Sequence, residues 1–450
     1  MLKHIQEENN IVTTKDELCS VFYSGIKDCS LRNVGLEFEK LPVNKNTFKA
    51  SSYSDVVKFL IDFKSEKWDG VYEASSLLGL KSSDGTVTLE PGSQTELSLT
   101  PCNSIHEVKK YVDSYNSVTS RLAQKYDIHW LGYGIQPVST YRNINIIPKK
   151  RYECMTKYLP TVAKRPLVMM RETAGIQASF DYSSEEDAIK KFSLALKLSP
   201  IISAVFANSP VRNGHLTRLK SNRCASWLDT DSTRCGLVSS KAFDSEIFSF
   251  SEYVEILLDV PMIFIERCNA SNEKIAIKIE NLTFREFMKQ GYNGYFATND
   301  DWLLHLSLYF PDVRFKNYIE IRNHDNQRKD LICAVPAFWK GLIYNNNAID
   351  EVNSLLHNFT YFDYEYLRRV TPQKGLDISI KHKSLKSLAK EIVDISFESL
   401  KSYGEGEEKY LEPMLDLLAK GLTPADIIIS KWENEWRGDI SKLVDYCRLS

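Results

Sequence analysis

The 450-residue chain lacks any long apolar run. Its most hydrophobic stretches, such as Val260-Pro261-Met262-Ile263-Phe264-Ile265, fall far short of the roughly 20 residues a membrane span needs. It also lacks an excess of either charge, with 57 Lys and Arg against 59 Asp and Glu and a net charge of −2. That balance excludes a general nucleic-acid coat, which needs surplus cations to displace counterions from phosphates, but leaves a local anion site open. Nine cysteines are few, odd in number and never spaced C-x-x-C, so neither a disulfide scaffold nor a zinc ribbon is expected. The first ten residues are acidic and have no apolar core, unlike a secretory signal or an Arg-rich transit peptide. The terminal Cys447-Arg448-Leu449-Ser450 has the length of a prenylation box, but Arg448 is not aliphatic and no polybasic stretch precedes it. Together these features predict a soluble, cytoplasmic protein with no nucleic-acid or membrane partner, working as a monomer or homodimer.

Signature motifs are missing too. There is no G-x-x-x-x-G-K-[ST], no H-E-x-x-H and no G-x-S-x-G, and Pro137 stands where the dinucleotide fingerprint opened by Gly132-Tyr133-Gly134 needs its third glycine. No repeat and no low-complexity linker divides the chain. It reads as one domain over 1–450, mostly helical from about 336.

What is present is periodicity. Thr14 and Glu17 form a potential capping box, followed by Leu18, Phe22 and Ile26 at helical spacing. Helices are predicted at 53–63, 104–125, 184–198, 251–258, 282–290 and 300–309, and from Ser384 to Ile395. Strands are predicted around 86–90, 94–99, 129–135, 173–181 and 313–322. The alternating strands point to an antiparallel sheet with one packed and one polar face, an α+β fold.

The polar faces are acidic. In Val34-Gly35-Leu36-Glu37-Phe38-Glu39 the carboxylates of Glu37 and Glu39 share one side, and Glu90 and Glu96 flank a Pro91-Gly92 turn. Gln177, Ser179 and Asp181 alternate with apolar neighbours, and Glu320 shares a face with Arg322. Singly, such groups are ordinary solvent-facing charges. Converging, they need a cation, because two carboxylates about 4 Å apart repel by about 4 kcal/mol at an effective dielectric of 20. Oxygen donors of this kind suit Mg²⁺ or Mn²⁺ rather than zinc. An arginine on the same strand is what a transferring phosphoryl group requires.

Longer runs carry a resemblance. They are Val34 to Lys40, Leu89-Glu90-Pro91-Gly92 with Glu96-Leu97-Ser98, and Met170-Arg171-Glu172-Thr173 leading to Gln177. Phe206-Ala207-Asn208-Ser209-Pro210, Trp227-Leu228-Asp229-Thr230-Asp231 with Arg234 and Gly236, and Asp259-Val260-Pro261-Met262 follow in order. Asp301-Trp302, His305-Leu306-Ser307, Phe310-Pro311-Asp312-Val313-Arg314 and Tyr318-Ile319-Glu320-Ile321-Arg322 complete the set. Over roughly residues 15 to 345 the chain resembles the plant and proteobacterial type of glutamate–cysteine ligase, within the glutamine synthetase-like superfamily. The resemblance implies a funnel-shaped site over an antiparallel sheet. There ATP phosphorylates the γ-carboxylate of L-glutamate and the amine of L-cysteine attacks the γ-glutamyl phosphate, the first step of glutathione synthesis. It implies that Glu37, Glu39, Glu90, Glu96 and Glu320 hold the metals, with Gln177 as a neutral ligand or phosphate contact. Arg322, with Glu320, would serve the transferring phosphoryl group, and Arg151, Arg223 and Arg234 would grip substrate carboxylates or phosphates.

The sequence departs from the family at Asn323-His324-Asp325-Asn326-Gln327-Arg328, where Gly-Ala-Asp and further glycines are usual, at Glu172, where asparagine is usual, and at Val138-Ser139-Thr140 after Gln136-Pro137, which lacks a lysine and a tryptophan. The first change alters a loop expected beside the acceptor pocket. It keeps a γ-glutamyl ligase with another amine acceptor, or a silent nucleotide-binding relative, as alternatives. His305 reads as packing, Trp68, Trp130, Trp302 and Trp339 as core, Asp229 and Asp231 as site groups or loop formers, and Cys224 with Cys235 as candidates for a regulatory bridge.

Overall fold

A computed structural model describes residues 11–269 and 273–449. The acidic N-terminal decapeptide and Ser450 of the terminal tetrapeptide lie outside the described residues. The centre is one antiparallel sheet of nine strands: β1 (Val34–Asn44), β2 (Asp69–Glu73), β3 (Ser76–Ser82), β4 (Gly85–Leu89), β5 (Thr95–Leu99), β6 (Ile128–Leu131), β7 (Gly175–Phe180), β8 (Val313–Phe315) and β9 (Ile319–Asp325). Their order is β8-β9-β7-β1-β5-β4-β3-β2, and β6 pairs the second half of β1.

The alternation in β1 sets the two faces. Val34, Leu36, Phe38 and Lys40 are buried on one side, while Glu37 and Glu39 point the other way. Helix Ile105–Ala123, capped by Ser104, packs on the buried side near β1 and β6, and Lys40 donates there to Thr119 at 2.7 Å. Helix Glu185–Val205 packs against β8 and β9. Its residues 191–205 are buried almost without interruption, as expected of a helix that is apolar all round. Helix Ala334–Ile343 seals β1 and β7, and six further helices run from Asn346 to Cys447, as the sequence predicts for the tail.

Most predicted elements stand within a few residues of their expected limits. The Thr14–Glu17 capping box is formed and opens helix Lys15–Tyr23. Three differences matter. The strand expected at 313–322 is a hairpin, β8 and β9, turned at residues 316–318 where Lys316 N donates to Tyr318 O at 2.8 Å. The segment expected as a loop after Arg322 instead continues β9 to Asp325. Helices Lys150–Val162 and Pro166–Glu172 were not expected, because Pro160 and Pro166 break the helical pattern on which the reading rests.

Phe315 closes the core where β8 meets the helices. It stacks on Phe192 at 4.1 Å between centroids and meets Tyr253 and Phe250 edge-on at 5.2 and 5.3 Å. Phe315→Ala is expected to cost about 3–5 kcal/mol, as large-to-small changes of a buried aromatic do. A thermal or urea unfolding midpoint indistinguishable from that of the parent protein would refute this.

Candidate active site

Strand register brings the acidic residues together. Glu37 lies opposite Ser98 on β5 and Gln177 on β7, and Glu39 lies opposite Glu96. Glu320 on β9 lies opposite Ser179, two residues from Gln177 and therefore on the same face. Glu90 follows β4 at a tight turn, in which Ser93 adopts a φ of 70° and a Cβ at Gly92 would meet Arg171 O at 2.3 Å. The turn is thus pressed onto helix Pro166–Glu172, and Tyr152 Oη donates to Glu90 Oε1 at 3.1 Å. Glu37, Glu39, Glu90, Glu96, Gln177 and Tyr152 line a cleft of about 300 Å³ that also receives Arg151, Arg223 and Arg322.

The cleft is electrically divided along the sheet. Over β1 and β5, burial raises Glu37, with Glu320 adding to the effect, and raises Glu39 to about 7, with Arg223 opposing and Glu90 adding. Burial and the charges of Glu37, Glu90 and Glu39 hold Glu96 well above the usual carboxylate range. Glu39 keeps one strong partner, Gly175 N–H at 2.5 Å. Over β8 and β9 the sign reverses. Glu320 is fully buried and contacts Arg314 Nε at 2.5 Å, Lys316 Nζ at 2.7 Å and Arg322 Nη1 at 2.7 Å. Burial works to raise its pKa, but these three cations outweigh it and hold the carboxyl well below its ordinary value. Between the halves stands Gln177, whose Oε1 accepts from Arg322 and whose Nε2 donates to Glu96 at 3.4 Å.

The structure thus unites Glu37, Glu39, Glu90, Glu96, Gln177, Arg151, Arg223 and Arg322. Arg151 is steadied by Ser307, through Oγ at 2.7 Å and the carbonyl oxygen at 2.6 Å. Arg223 Nη2 donates to Arg322 O at 2.9 Å. Two expectations are corrected. Glu320, expected as a metal ligand, lies beneath the cleft with its charge already met by three cations, so it is an anchor for the basic side chains. Arg234, expected to grip substrate, is sealed in the core, where it pairs with Asp231 at 2.6 Å and donates to Leu308 O and Pro261 O. Asp231 is accordingly its structural partner.

The departures resolve in the same way. Glu172 is buried and receives Arg212 twice, at 2.6 and 2.8 Å, together with Tyr141 N. Asp325 accepts from Ser209 Oγ, Ser221 Oγ and Asn208 N, while Asn326 Nδ2 donates to the backbone oxygen of Glu39. Of the segment 323–328 expected as a loop, residues 323–325 are strand and 326–328 a connection, and Asn323 to Gln327 form a buried polar support of the site. Cys224 and Cys235 are unbridged. His305 is packed against Trp302 and Phe284, and burial lowers its pKa to about 4. Sequence reasoning missed Lys149, Tyr152, Arg314 and Lys316. Arg314 and Lys316 share the two-residue alternation of a strand with Tyr318 and Glu320, a signal that was available; Tyr152 lies in a helix that was not expected, and Lys149 stands at its N-cap.

Comparison with known proteins identifies the family. Residues 33–446 match the model of glutamate–cysteine ligase family 2. The chain is 34% identical over 432 residues to glutamate–cysteine ligase A, chloroplastic, of Oryza sativa subsp. indica, covering 95% of this chain and 86% of that protein. It is also 34% identical over 427 residues to the chloroplastic glutamate–cysteine ligase of Arabidopsis thaliana, covering 94% and 80%. Among solved structures, a glutamate–cysteine ligase of Francisella tularensis in complex with AMP has a TM-score of 0.55 at 14% identity, covering 94% of this chain and 89% of that one. At that identity the likeness concerns the fold. The plant relatives are chloroplastic, which overturns the expectation of a cytoplasmic location. Among the described residues no helix is long and apolar enough to cross a membrane.

Arg234→Met should leave Asp231 charged and unpaired in the core. A loss of about 3–5 kcal/mol is expected, as for other broken buried pairs. Denaturant titration checks it; a variant as stable as its parent would show that Asp231 finds another partner or is neutral.

Proposed function

Because the chain belongs to glutamate–cysteine ligase family 2, we propose that it joins the γ-carboxylate of L-glutamate to the amine of L-cysteine at the expense of ATP, the first step of glutathione biosynthesis. The observation that carries the mechanism is the division of the cleft, with raised carboxylates on β1 and β5 facing a cationic cluster on β8 and β9. In the first step a glutamate γ-carboxylate oxygen attacks the γ-phosphorus of ATP, the bond to the β-phosphate oxygen breaks, and ADP leaves. The amine of cysteine then attacks the acyl carbon, the C–O bond to phosphate breaks, and the amine loses a proton as the amide forms. Arg322, Arg314 and Lys316 are fixed in advance by Glu320, so they meet the charge on the transferring phosphoryl group without rearranging. Arg151 and Arg223 present planar guanidinium groups suited to the carboxylates of glutamate and its acceptor.

The acidic half fits a hard divalent cation. Its donors are all oxygens, and burial leaves their charge without sufficient compensation from the protein. Glu37, Glu39, Glu90 and Glu96 would hold Mg²⁺, with Mn²⁺ as a substitute; when bound, the ion neutralises phosphate charge. Among the described residues no three acidic, histidine or cysteine side chains close into a cage on their own.

Three outcomes test this reading. ADP release should require glutamate and cysteine together; no release with any amine acceptor would favour a silent relative. Glu39→Ala and Glu96→Ala should abolish turnover, and Arg322→Ala should lower kcat about 10²–10³-fold, the loss typical of a group serving transition-state charge. The Mg²⁺ affinity of the free enzyme should rise as pH rises through about 7, because the cation must displace the proton that Glu39 holds below that pH. Calorimetry in buffers of different ionisation enthalpy would register proton release near pH 6.5. Affinity independent of pH between 6 and 8 would contradict the placement of Glu39 at the metal.

A further inference from the structure

Arg322 sits where the regular pairing of the sheet breaks. Along β9 and β7 the register steps from Ile321 opposite Ala178 to His324 opposite Ile176, so Arg322 and Asn323 together face Gln177 in a β-bulge. On its other side the β8–β9 ladder runs out at Val313 opposite Ile321. The main chain of Arg322 is held there by groups outside these strands. Its N–H donates to Asp312 O at 3.0 Å, and its carbonyl oxygen accepts from Arg223 Nη2 at 2.9 Å.

Both contacts lead to one helix of the C-terminal region, Tyr361–Lys374. From it Arg368 donates through Nε and Nη2 to the two carboxylate oxygens of Asp312, at 2.9 and 3.3 Å, and Ser199 Oγ adds a bond at 3.0 Å. The Asp312 N–H donates to Gly236 O at 2.9 Å, and a Cβ at Gly236 would come within 3.3 Å of the Arg368 guanidinium carbon. About one helical turn beyond Arg368, Pro372 O accepts from Lys220 N and Ser221 N at 2.8 and 3.0 Å. Ser221 is the N-cap of helix Asn222–Leu228, which carries Arg223. The contacts close a ring through Arg368, Asp312, Arg322, Arg223 and Ser221, back to Pro372. The side chains of Arg368 and Asp312 are each only 14% exposed, so the pair is not one of the solvent-screened bridges that contribute little. A planar guanidinium on two oxygens also fixes direction, which the point charge of a lysine does not.

Resting on the ligase reading above, we propose that Arg368 is a positioning residue for Arg322. It acts without touching substrate. By pinning Asp312 it holds the Arg322 N–H, and through the main chain it aims the Arg322 guanidinium at the transferring phosphoryl group. A bulge re-aims the side chain it carries, so a bulge left unbraced lets that side chain drift. Misplacement of a reacting group by about 1 Å costs up to about 100-fold in rate.

The test is a double-mutant cycle on kcat at saturating Mg²⁺, ATP, glutamate and cysteine. Arg368→Met should lower kcat about 10–100-fold while the KM values for ATP and glutamate stay within about twofold, the pattern of an interaction used in the transition state. In the Arg322→Ala background the same substitution should lower kcat by less than about twofold, because the group it positions is gone. A variant that is merely destabilised loses the same fraction of active enzyme in both backgrounds, so its factors multiply. Asp312→Asn keeps the shape of the side chain and removes the charge that Arg368 meets. It should lower kcat in the same way, and it supplies the cycle if Arg368→Met fails to fold. Unchanged kcat in both variants, or factors that multiply with Arg322→Ala, would overturn the inference and leave the ligase reading standing. So would a KM for cysteine that rises with kcat unchanged, which would place Arg368 against the acceptor. Full activity in Arg322→Ala, or no turnover by the parent enzyme with any acceptor, would overturn both.

Discussion

A carboxylate as deeply buried as Glu320 would be neutral unless compensated, and here it is compensated three times over by Arg314, Lys316 and Arg322. This arrangement stabilises the hairpin of β8 and β9, from which all four residues project. It also leaves a net positive charge where the hairpin meets the cleft. Each cation has one contact fixed by Glu320 and further donors still available, most of all in the guanidinium groups. The basic half of the site is therefore built before any phosphate arrives. Glu320 holds these cations in place.

The acidic half is built by the opposite means. Register alone forces Glu39 beside Glu96 and Glu37 beside Gln177, and among the described residues no lysine or arginine pairs directly with any of these acids at ion-pair distance. Gly175 N–H on Glu39 and Tyr152 on Glu90 orient the carboxyls without neutralising them. Gln177 is suited to the border because an amide can accept from Arg322 and donate to Glu96, which a carboxylate there could not do. The net charge of −2 thus averages over a site that is strongly polarised.

The strands that carry Glu37, Glu39, Glu96, Gln177 and Glu320 were legible because period-two alternation is local and each polar face is written in five or six residues. That the faces converge was not local information; it followed from the resemblance. Arg234 was misread because an arginine in a run of site-like residues carries the same local signal whether it meets a substrate or Asp231. Arg151 and Tyr152, with Lys149 at the N-cap, come to the cleft on a helix that Pro160 obscures in the sequence. The departure at 323–326 was legible as a change and misjudged in kind. Without its glycines the segment extends β9, and the side chains gained there are engaged in holding Asn208, Ser209, Ser221 and Glu39.

That last exchange bears on how the fold tolerates a site it does not neutralise. Raised, mutually repelling carboxylates oppose folding, and each has to be held by a backbone that would relax if it could. Around Glu39 it cannot. Its carbonyl oxygen accepts from Asn326 and its carboxylate from Gly175 N, while Ala174 O receives Asn326 N at 3.0 Å. A side chain at Gly175 would strike Arg223 Nη2 at 2.4 Å, so the strand and the arginine fix each other. Asp325 beneath them is met by Ser209 Oγ, Ser221 Oγ and Asn208 N, as a buried carboxylate must be if it is to add rigidity. The polar residues that displaced the glycines thus supply constraint at the point where the acidic cluster would otherwise spread apart.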